Sequence, residues 1–128
     1  MIDMDCIFCK IVKKEIPAEI VYENDKIIAF NDVNPVAPVH ILIIPKKHIP
    51  SINHLADFRE TGTKDGLSPE LENKILVGEL ILAAQKIAED KKIADSGYRL
   101  SFNIGEDAGQ TVNHLHLHLM GGKKLPLA

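Results

Sequence analysis

The sequence predicts an α+β domain built on an antiparallel sheet, on three observations. Its helical and strand patterns run in the order helix, strands, long helix, strands. Few connections are long enough for the helical crossovers that a parallel sheet requires. Residues 113–120, "NHLHLHLM", alternate polar and apolar side chains with the period of a half-buried strand.

The elements follow in order. Residues 6–14, "CIFCKIVKK", read as a short helix with Ile7, Phe8, Ile11 and Val12 near one face and a stop before Pro17. "EIVYE" and "KIIAFND" are strands joined at Asn24-Asp25, residues that tolerate the positive φ of a tight hairpin turn. "VNPVAPV" carries two prolines that forbid regular pairing. "HILIIP" is a buried strand closed by Pro45. Residues 57–68, "DFRETGTKDGLS", are polar and contain glycine, the composition of a surface loop or mobile insertion.

A long helix is expected over 69–91. Ser68 suits its N-cap, Pro69 its first turn, and Glu70 and Glu72 complement its dipole. Leu71, Ile75, Leu80, Ala84, Ile87 and Ala88 recur at helical spacing, and Lys91 and Lys92 sit at the C-terminal end. Gly78 costs about 1 kcal/mol relative to Ala inside a helix, so it is expected at a close packing contact. "YRLSFNI" and "NHLHLHLM" are the last two strands, separated by "GEDAGQT".

Composition bounds the function. A chain of 128 residues with 45% hydrophobic residues buries a core of ordinary size, so one domain over 1–128 is expected. A net charge of −3 argues against a nucleic-acid binder but leaves room for a small phosphorylated ligand in a donor-rich pocket. The start "MIDMDCIF" lacks a targeting pattern, and "ILII" and "LILAA" fall far short of a membrane span of about 20 residues. A cytoplasmic protein without membrane association is therefore expected. In that compartment Cys6 and Cys9 read as thiols or metal ligands rather than a structural disulfide.

The chemistry sits in "HLHLHLM". On a strand His114, His116, His118 and Met120 share one face, while Leu115, Leu117 and Leu119 point to a core. Three readings are open: a polar sheet face, a metal site, or a catalytic row. Two histidines at i and i+2 can hold one zinc, but the third lies about 13 Å from the first along a strand, too far for the same ion. Imidazole also serves as nucleophile and proton carrier near neutral pH. The preceding "NIGEDAGQTVN" offers what phosphate chemistry needs beside a nucleophile. Gly105 and Gly109 let backbone N–H groups approach an anion, and Gln110 and Thr111 add neutral donors.

"HLHLHLM" fits every position of the His-φ-His-φ-His-φ-φ motif, with φ apolar, and the chain closely resembles the histidine triad (HIT) superfamily. "IFCKIVKKEIPAEIVYENDKIIAFNDVNPVAPVHILIIPKKHI" and "GYRLSFNIGEDAGQTVNHLHLHLMGG" are similar to its nucleotide-binding branch, typified by purine nucleoside phosphoramidases. The resemblance spans nearly the whole chain except residues 55–68 and the last few.

This resemblance implies a HIT-like fold: a five-stranded antiparallel sheet, a short N-terminal helix and one long helix, dimerising into a continuous ten-stranded sheet through helix 69–91 and strand 98–103. It implies that His116 attacks the α-phosphorus of a nucleoside 5′-phosphoramidate, an AMP or GMP conjugate, and that water then releases the nucleoside monophosphate. His118 matches a residue that holds phosphate oxygens and handles protons, His40 one that faces the same phosphate, and His114 one that orients the nucleophile through the backbone. Gln110 and Thr111 match phosphate and leaving-group contacts, Asn103 a phosphate or sugar contact, and Gly109 a tight approach. Thr111 stands where many relatives have Ser, with the hydroxyl retained. Asp32 corresponds to the acid that accepts both ribose hydroxyls. Phe8, Ile11, Phe30 and Val33 match an apolar slot for the base, although spacing alone reads them as core, and Asn31 stands where close relatives often have His. Cys6, Cys9, His48 and His114 match a structural zinc site of some branches, the alternative being two thiols without metal; catalysis needs no metal either way. A dinucleoside polyphosphate hydrolase, or a nucleotide-binding scaffold with negligible turnover, are the competing functions.

Overall fold

The computed structural model describes residues 5–56 and 69–127. Five strands form one sheet: β1 (Ile20–Glu23), β2 (Ile27–Asn31), β3 (Val39–Pro45), β4 (Tyr98–Ser101) and β5 (Leu117–Gly121). Their spatial order is β1-β2-β3-β5-β4, with every neighbouring pair antiparallel. Two α-helices accompany them, α1 (Ile7–Val12) and α2 (Pro69–Asp90). The expected α+β, five-stranded HIT-like architecture is therefore present. Among the described residues no helix is long and apolar enough to cross a membrane.

Each central strand feeds two cores. Ile27, Ala29, Ile41, Ile43, Leu117 and Leu119 pack against Leu76, Leu80, Ala83, Ala84, Ile87 and Ala88 of α2. Ile28, Phe30, Leu42 and Ile44 face the other way and are covered by Phe8, Cys9 and Ile11 of α1. β2 and β3 are buried on both faces, which is why they read as unbroken apolar runs. β5 keeps an apolar face only toward α2 and carries His118 opposite, beside Leu42 of β3. The alternation that predicted a strand is thus the signature of a sheet whose α1 side is part core and part site.

Local chemistry sets the ends. Cys6 caps α1, its Sγ accepting from the Cys9 N–H at 3.4 Å. Lys14 (φ 64) and Lys92 (φ 61) adopt the left-handed conformation just past α1 and α2. There the Glu15 N–H reaches the Lys10 carbonyl and the Ile93 N–H the Ala88 carbonyl, satisfying carbonyls that the helix leaves open. The β1–β2 turn needs no positive φ, contrary to the expectation for Asn24-Asp25. Asn24 Oδ1 instead accepts the N–H groups of Lys26 and Ile27, both at 2.9 Å.

Four further expectations are corrected. The strand expected over 98–104 ends at Ser101, and the one expected over 113–120 becomes regular only at Leu117. Ahead of Leu117 the chain leaves the ladder because Leu115 N–H bonds to the Ile49 carbonyl, at 2.6 Å, instead of to β3. The side chains still alternate: Leu115 joins the α2 core and His114 lies on the α1 side. The buried stripe of α2 is also rotated. Asn73 and Leu76 are buried, whereas Leu71 and Ile75 are exposed. Asn73 is held inside by hydrogen bonds with Lys47 and the Leu55 carbonyl. A Cβ on Gly78 would meet nothing within 4 Å, so its expected close contact is not made among the described residues. Ser68 and the expected loop 57–68 lie outside the described residues.

Candidate functional site

The histidines converge from three places. β5 carries His118, the irregular stretch before it carries His114 and His116, and β3 carries His40 two residues from Leu42, the register partner of His118. His40, His114 and His116 are buried and His118 is half-buried. The His116 and His118 ring centroids are 5.1 Å apart, and those of His40 and His118 are 5.3 Å apart. Phe8 packs its ring at 88° to His116, 5.2 Å away. This T-shaped contact fixes the imidazole plane from the α1 side.

One bond defines the reactive nitrogen. His116 Nδ1 lies 2.6 Å from the carbonyl oxygen of His114. A carbonyl only accepts, so Nδ1 carries the proton and Nε2 holds the lone pair. An imidazole nitrogen with its lone pair free in this way is one that can act as a nucleophile.

His114 uses its side chain for something else. Its Nε2 donates to the Pro45 carbonyl at 2.8 Å, so its Nδ1 keeps a lone pair. That lone pair faces Cys6 Sγ at 3.4 Å, Cys9 Sγ at 3.5 Å and His48 Nδ1 at 3.2 Å, and His48 Nδ1 lies 3.3 Å from Cys9 Sγ. All four candidate ligand atoms lie within 4.8 Å of one another. A tetrahedral zinc with ordinary bond lengths has edges of about 3.3 Å between nitrogens and about 3.5 Å between nitrogen and sulfur. The donor set fits a metal, and a carbonyl fixing the opposite nitrogen is the usual way such a histidine is oriented.

The glycine loop behaves differently from its expectation. Gly105 (φ 82) and Gly109 (φ 84) do adopt backbone conformations that side chains rarely take. Their N–H groups, however, turn inward. Gly109 N–H bonds to the Glu106 carbonyl, Gln110 N–H to the Gly105 carbonyl, and Gly105 N–H to Gln110 Oε1. Gln110 Nε2 donates to the carbonyls of Pro50 and Val112. Asn103 Nδ2 donates to the Ala108 carbonyl. Gln110 and Asn103 therefore brace this loop, and in this conformation Gly105, Gly109 and Gln110 do not offer their N–H groups to an anion. Thr111 lies exposed at the loop's end.

The expected base slot is only partly assembled as a group. Phe8, Ile11 and Phe30 pack together within the α1-side core, Phe8 and Phe30 edge to face at 5.5 Å. Val33 stands apart from them at 88% exposure, and Asn31 is half-buried at the end of β2. Asp32 follows, its N–H on the His40 carbonyl and its Oδ1 accepting from Asn34 N–H. The His114 backbone was expected only through the resemblance, and spacing says nothing of two further backbone partners, the Pro45 carbonyl on His114 and the Val36 N–H that bonds to His40 Nδ1 at 3.1 Å. Backbone groups carry no residue signature, so only the fold reveals them.

A family model described as HIT domain matches residues 13–125. An uncharacterized HIT-like protein of Synechocystis is 47% identical over 119 residues, 93% of this chain and 91% of that protein. The purine nucleoside phosphoramidase of Escherichia coli K12 is 42% identical over 121 residues, 94% of this chain and 90% of that protein. A solved histidine triad protein from Clostridium difficile superposes with a TM-score of 0.86 at 44% identity, covering 100% of this chain and 99% of that one.

Burial governs the charge of two of these imidazoles. It holds His114 at about 4, helped by His48 and His116 and opposed by the bond to the Pro45 carbonyl. It also holds His118 at about 4, helped by His116 and His40 and opposed by Asp32. Both folded values lie below the ordinary 6.5, so on acidification the unfolded chain takes up these protons first. Their contribution to stability is intact above about pH 6.5 and is lost as pH falls toward about 4. The urea midpoint of metal-free protein should fall between about pH 7 and pH 5, before most carboxylates titrate. An unchanged midpoint over that window contradicts buried neutral histidines.

Proposed function

This chain belongs to the HIT domain family, and we propose that it hydrolyses nucleoside 5′-phosphoramidates in two steps through His116. The observation that carries this reading is the His114 carbonyl on His116 Nδ1, which leaves Nε2 as the attacking nitrogen next to two further imidazoles. The E. coli relative's name supplies the substrate class. In the first step Nε2 forms a bond to the α-phosphorus while the P–N bond breaks, and the amine leaves with a proton taken from the medium. In the second, water attacks the same phosphorus, the N–P bond breaks, and the nucleoside monophosphate departs. Splitting one displacement into two easier ones is what a nucleophilic imidazole contributes. His118 and His40 stand where phosphoryl oxygens need hydrogen bonds, Asp32 where a ribose needs an acceptor, and Thr111 where the leaving group passes. Phe8, Ile11 and Phe30 supply the apolar group for the purine of an AMP or GMP conjugate, and the exposed Val33 would have to close on it from outside that group. None of these steps needs a metal.

His116→Ala should lower the hydrolysis of adenosine 5′-phosphoramidate at least about a thousandfold, or about 4 kcal/mol of barrier, while the protein stays folded. Wild-type protein that binds AMP but leaves this substrate intact contradicts the proposal. Faster turnover of a diadenosine polyphosphate than of the phosphoramidate replaces it with the polyphosphate reading.

We also propose that Cys6, Cys9, His48 and His114 hold zinc. Two thiolates and two imidazoles form a closed structural set, which would tie α1 to the segments after β3 and before β5 without an open position for substrate. Protein purified without added metal should carry about one zinc per chain, and Cys6→Ser should lose it. Wild-type protein that purifies folded without zinc, no chelator having been used, sinks this assignment.

A two-fold dimer is the third proposal. β4 lies at one edge of the sheet, and α2 leaves Ile75, Gly78 and Leu82 uncovered at helical spacing. Open edges and apolar helix faces invite a partner of the same kind. Light scattering at micromolar concentration should report twice the chain mass; the mass of a single chain contradicts it.

A further inference from the structure

The fold treats Cys6 and Cys9 differently. Cys6 lines a cleft of about 290 Å³, formed with Asp5, Ile7, Thr111, Val112 and Asn113, and keeps 8% of its surface exposed. Cys9 has no exposed surface, and its Sγ faces His48 and His114. The two sulfurs lie within 4.8 Å of one another and are not joined in a disulfide. One sulfur at the edge of a cleft with a second sealed behind it is the arrangement in which a first thiol is oxidised and a second one resolves it.

This pair also holds both supports of the His116 ring. His114 Nδ1 faces the two sulfurs at 3.4 and 3.5 Å, while the carbonyl of the same residue bonds to His116 Nδ1 at 2.6 Å. Phe8 sits between the cysteines in sequence, on the turn that Cys6 caps by accepting the Cys9 N–H. Its ring packs edge to face on both His114 and His116. Drawing the two sulfurs together to bonding distance pulls them off His114 and His48 and shifts the turn that carries Phe8. Resting on the zinc and phosphoramidase readings, we infer that Cys6 and Cys9 form a peroxide-sensitive switch, which closes into a disulfide, gives up the metal and loosens His116.

The chemistry balances with a hydroperoxide as the oxidant, here hydrogen peroxide. The Cys6 thiolate attacks one peroxide oxygen, the O–O bond breaks and hydroxide leaves, which puts a sulfenic acid on Cys6. The Cys9 thiolate then attacks the Cys6 sulfur, the S–O bond breaks and a second hydroxide leaves. The two thiolates lose two electrons between them and the peroxide gains both. His48 and His114 remain as two neutral ligands, half of a tetrahedral set, and do not retain zinc. A dithiol reductant cleaves the S–S bond and returns both thiolates, so the switch is reversible. His116 keeps its chemistry throughout and loses only its fixed position.

The test exposes reduced, zinc-loaded wild-type protein to stoichiometric hydrogen peroxide. The intact mass should fall by two hydrogens, with the disulfide mapped to the peptide carrying Cys6 and Cys9, and one zinc per chain should appear on a chelating dye. Long-range ¹H–¹⁵N spectra should show His116 passing from a pyrrole-type Nδ1 to a mixture of tautomers. The kcat on adenosine 5′-phosphoramidate should drop about ten- to a hundredfold. Dithiothreitol followed by zinc should restore all of these. In Cys9→Ser, dimedone should capture a sulfenic acid on Cys6, whereas Cys6→Ser should label far more slowly. A disulfide that forms with zinc retained overturns the switch, and so does one that leaves the His116 spectrum and kcat unchanged. Faster labelling of Cys9 than of Cys6 overturns the assigned order of attack. Should the variants fail to fold, the wild-type mass, zinc and spectrum decide alone. Reduced protein without zinc overturns the metal reading instead, and the wild-type mass and spectrum still decide whether the cysteine pair governs His116. The expected mass and spectrum in a protein inert toward phosphoramidates mark a failure of the substrate reading alone.

Discussion

The hydrogen bond between His116 Nδ1 and the His114 carbonyl, 2.6 Å long, is the contact on which the rest of the site depends. It decides which nitrogen of His116 carries the proton, and it holds only while the His114 backbone stays in place. Several contacts keep it there. The His114 ring donates to the Pro45 carbonyl and packs edge-on against Phe8 and His48. Leu115 N–H grips the Ile49 carbonyl. His114 is thus used twice: its side chain belongs to the Cys6–Cys9–His48 cluster, and its backbone carbonyl holds the His116 ring. A cluster on one side of this residue thereby fixes the His116 ring on the other.

That arrangement asks for an unusual amount of buried imidazole, and hydrogen bonding makes it tolerable. An unsatisfied buried polar group costs about 1–3 kcal/mol. Among the described residues no buried side-chain nitrogen or oxygen lacks a partner. The partners are fixed backbone groups for His40, His114 and His116, and another ring for His118. Because the sheet has an apolar core on the α2 side, Leu115, Leu117 and Leu119 anchor the histidine stretch from behind while the imidazoles satisfy one another in front. Stability and chemistry are divided between the two faces of one strand.

How much of this was legible follows from what side chains can signal. The apolar runs of β2 and β3 announced strands buried on both faces, and the alternation of "HLHLHLM" announced a strand buried on one. The proximity of His40, Asp32 and Cys6 to the row was legible only through the family resemblance, because sequence spacing says nothing about neighbours from distant elements. Strand ends were misread where a tertiary bond, Leu115 to Ile49, competes with the ladder. The stripe of α2 was misread because two hydrogen bonds carry a polar Asn73 inside. Gly105 and Gly109 were read as offering N–H groups to an anion; they do adopt positive φ, but in this conformation their N–H groups serve the loop itself. The groups that set the tautomers are main-chain atoms of Val36, Pro45 and His114, on which composition is silent.

The most direct measurement of the central claim is to catch the nucleophile in its bonded state. Protein mixed with adenosine 5′-phosphoramidate, quenched within one turnover at a pH that preserves N–P bonds, would be digested and weighed by mass spectrometry. The account predicts one adenylyl group on the peptide containing His116, gone after a longer incubation and never formed by His116→Ala. Turnover at full rate with no modified peptide, or with the group on another residue, would contradict it.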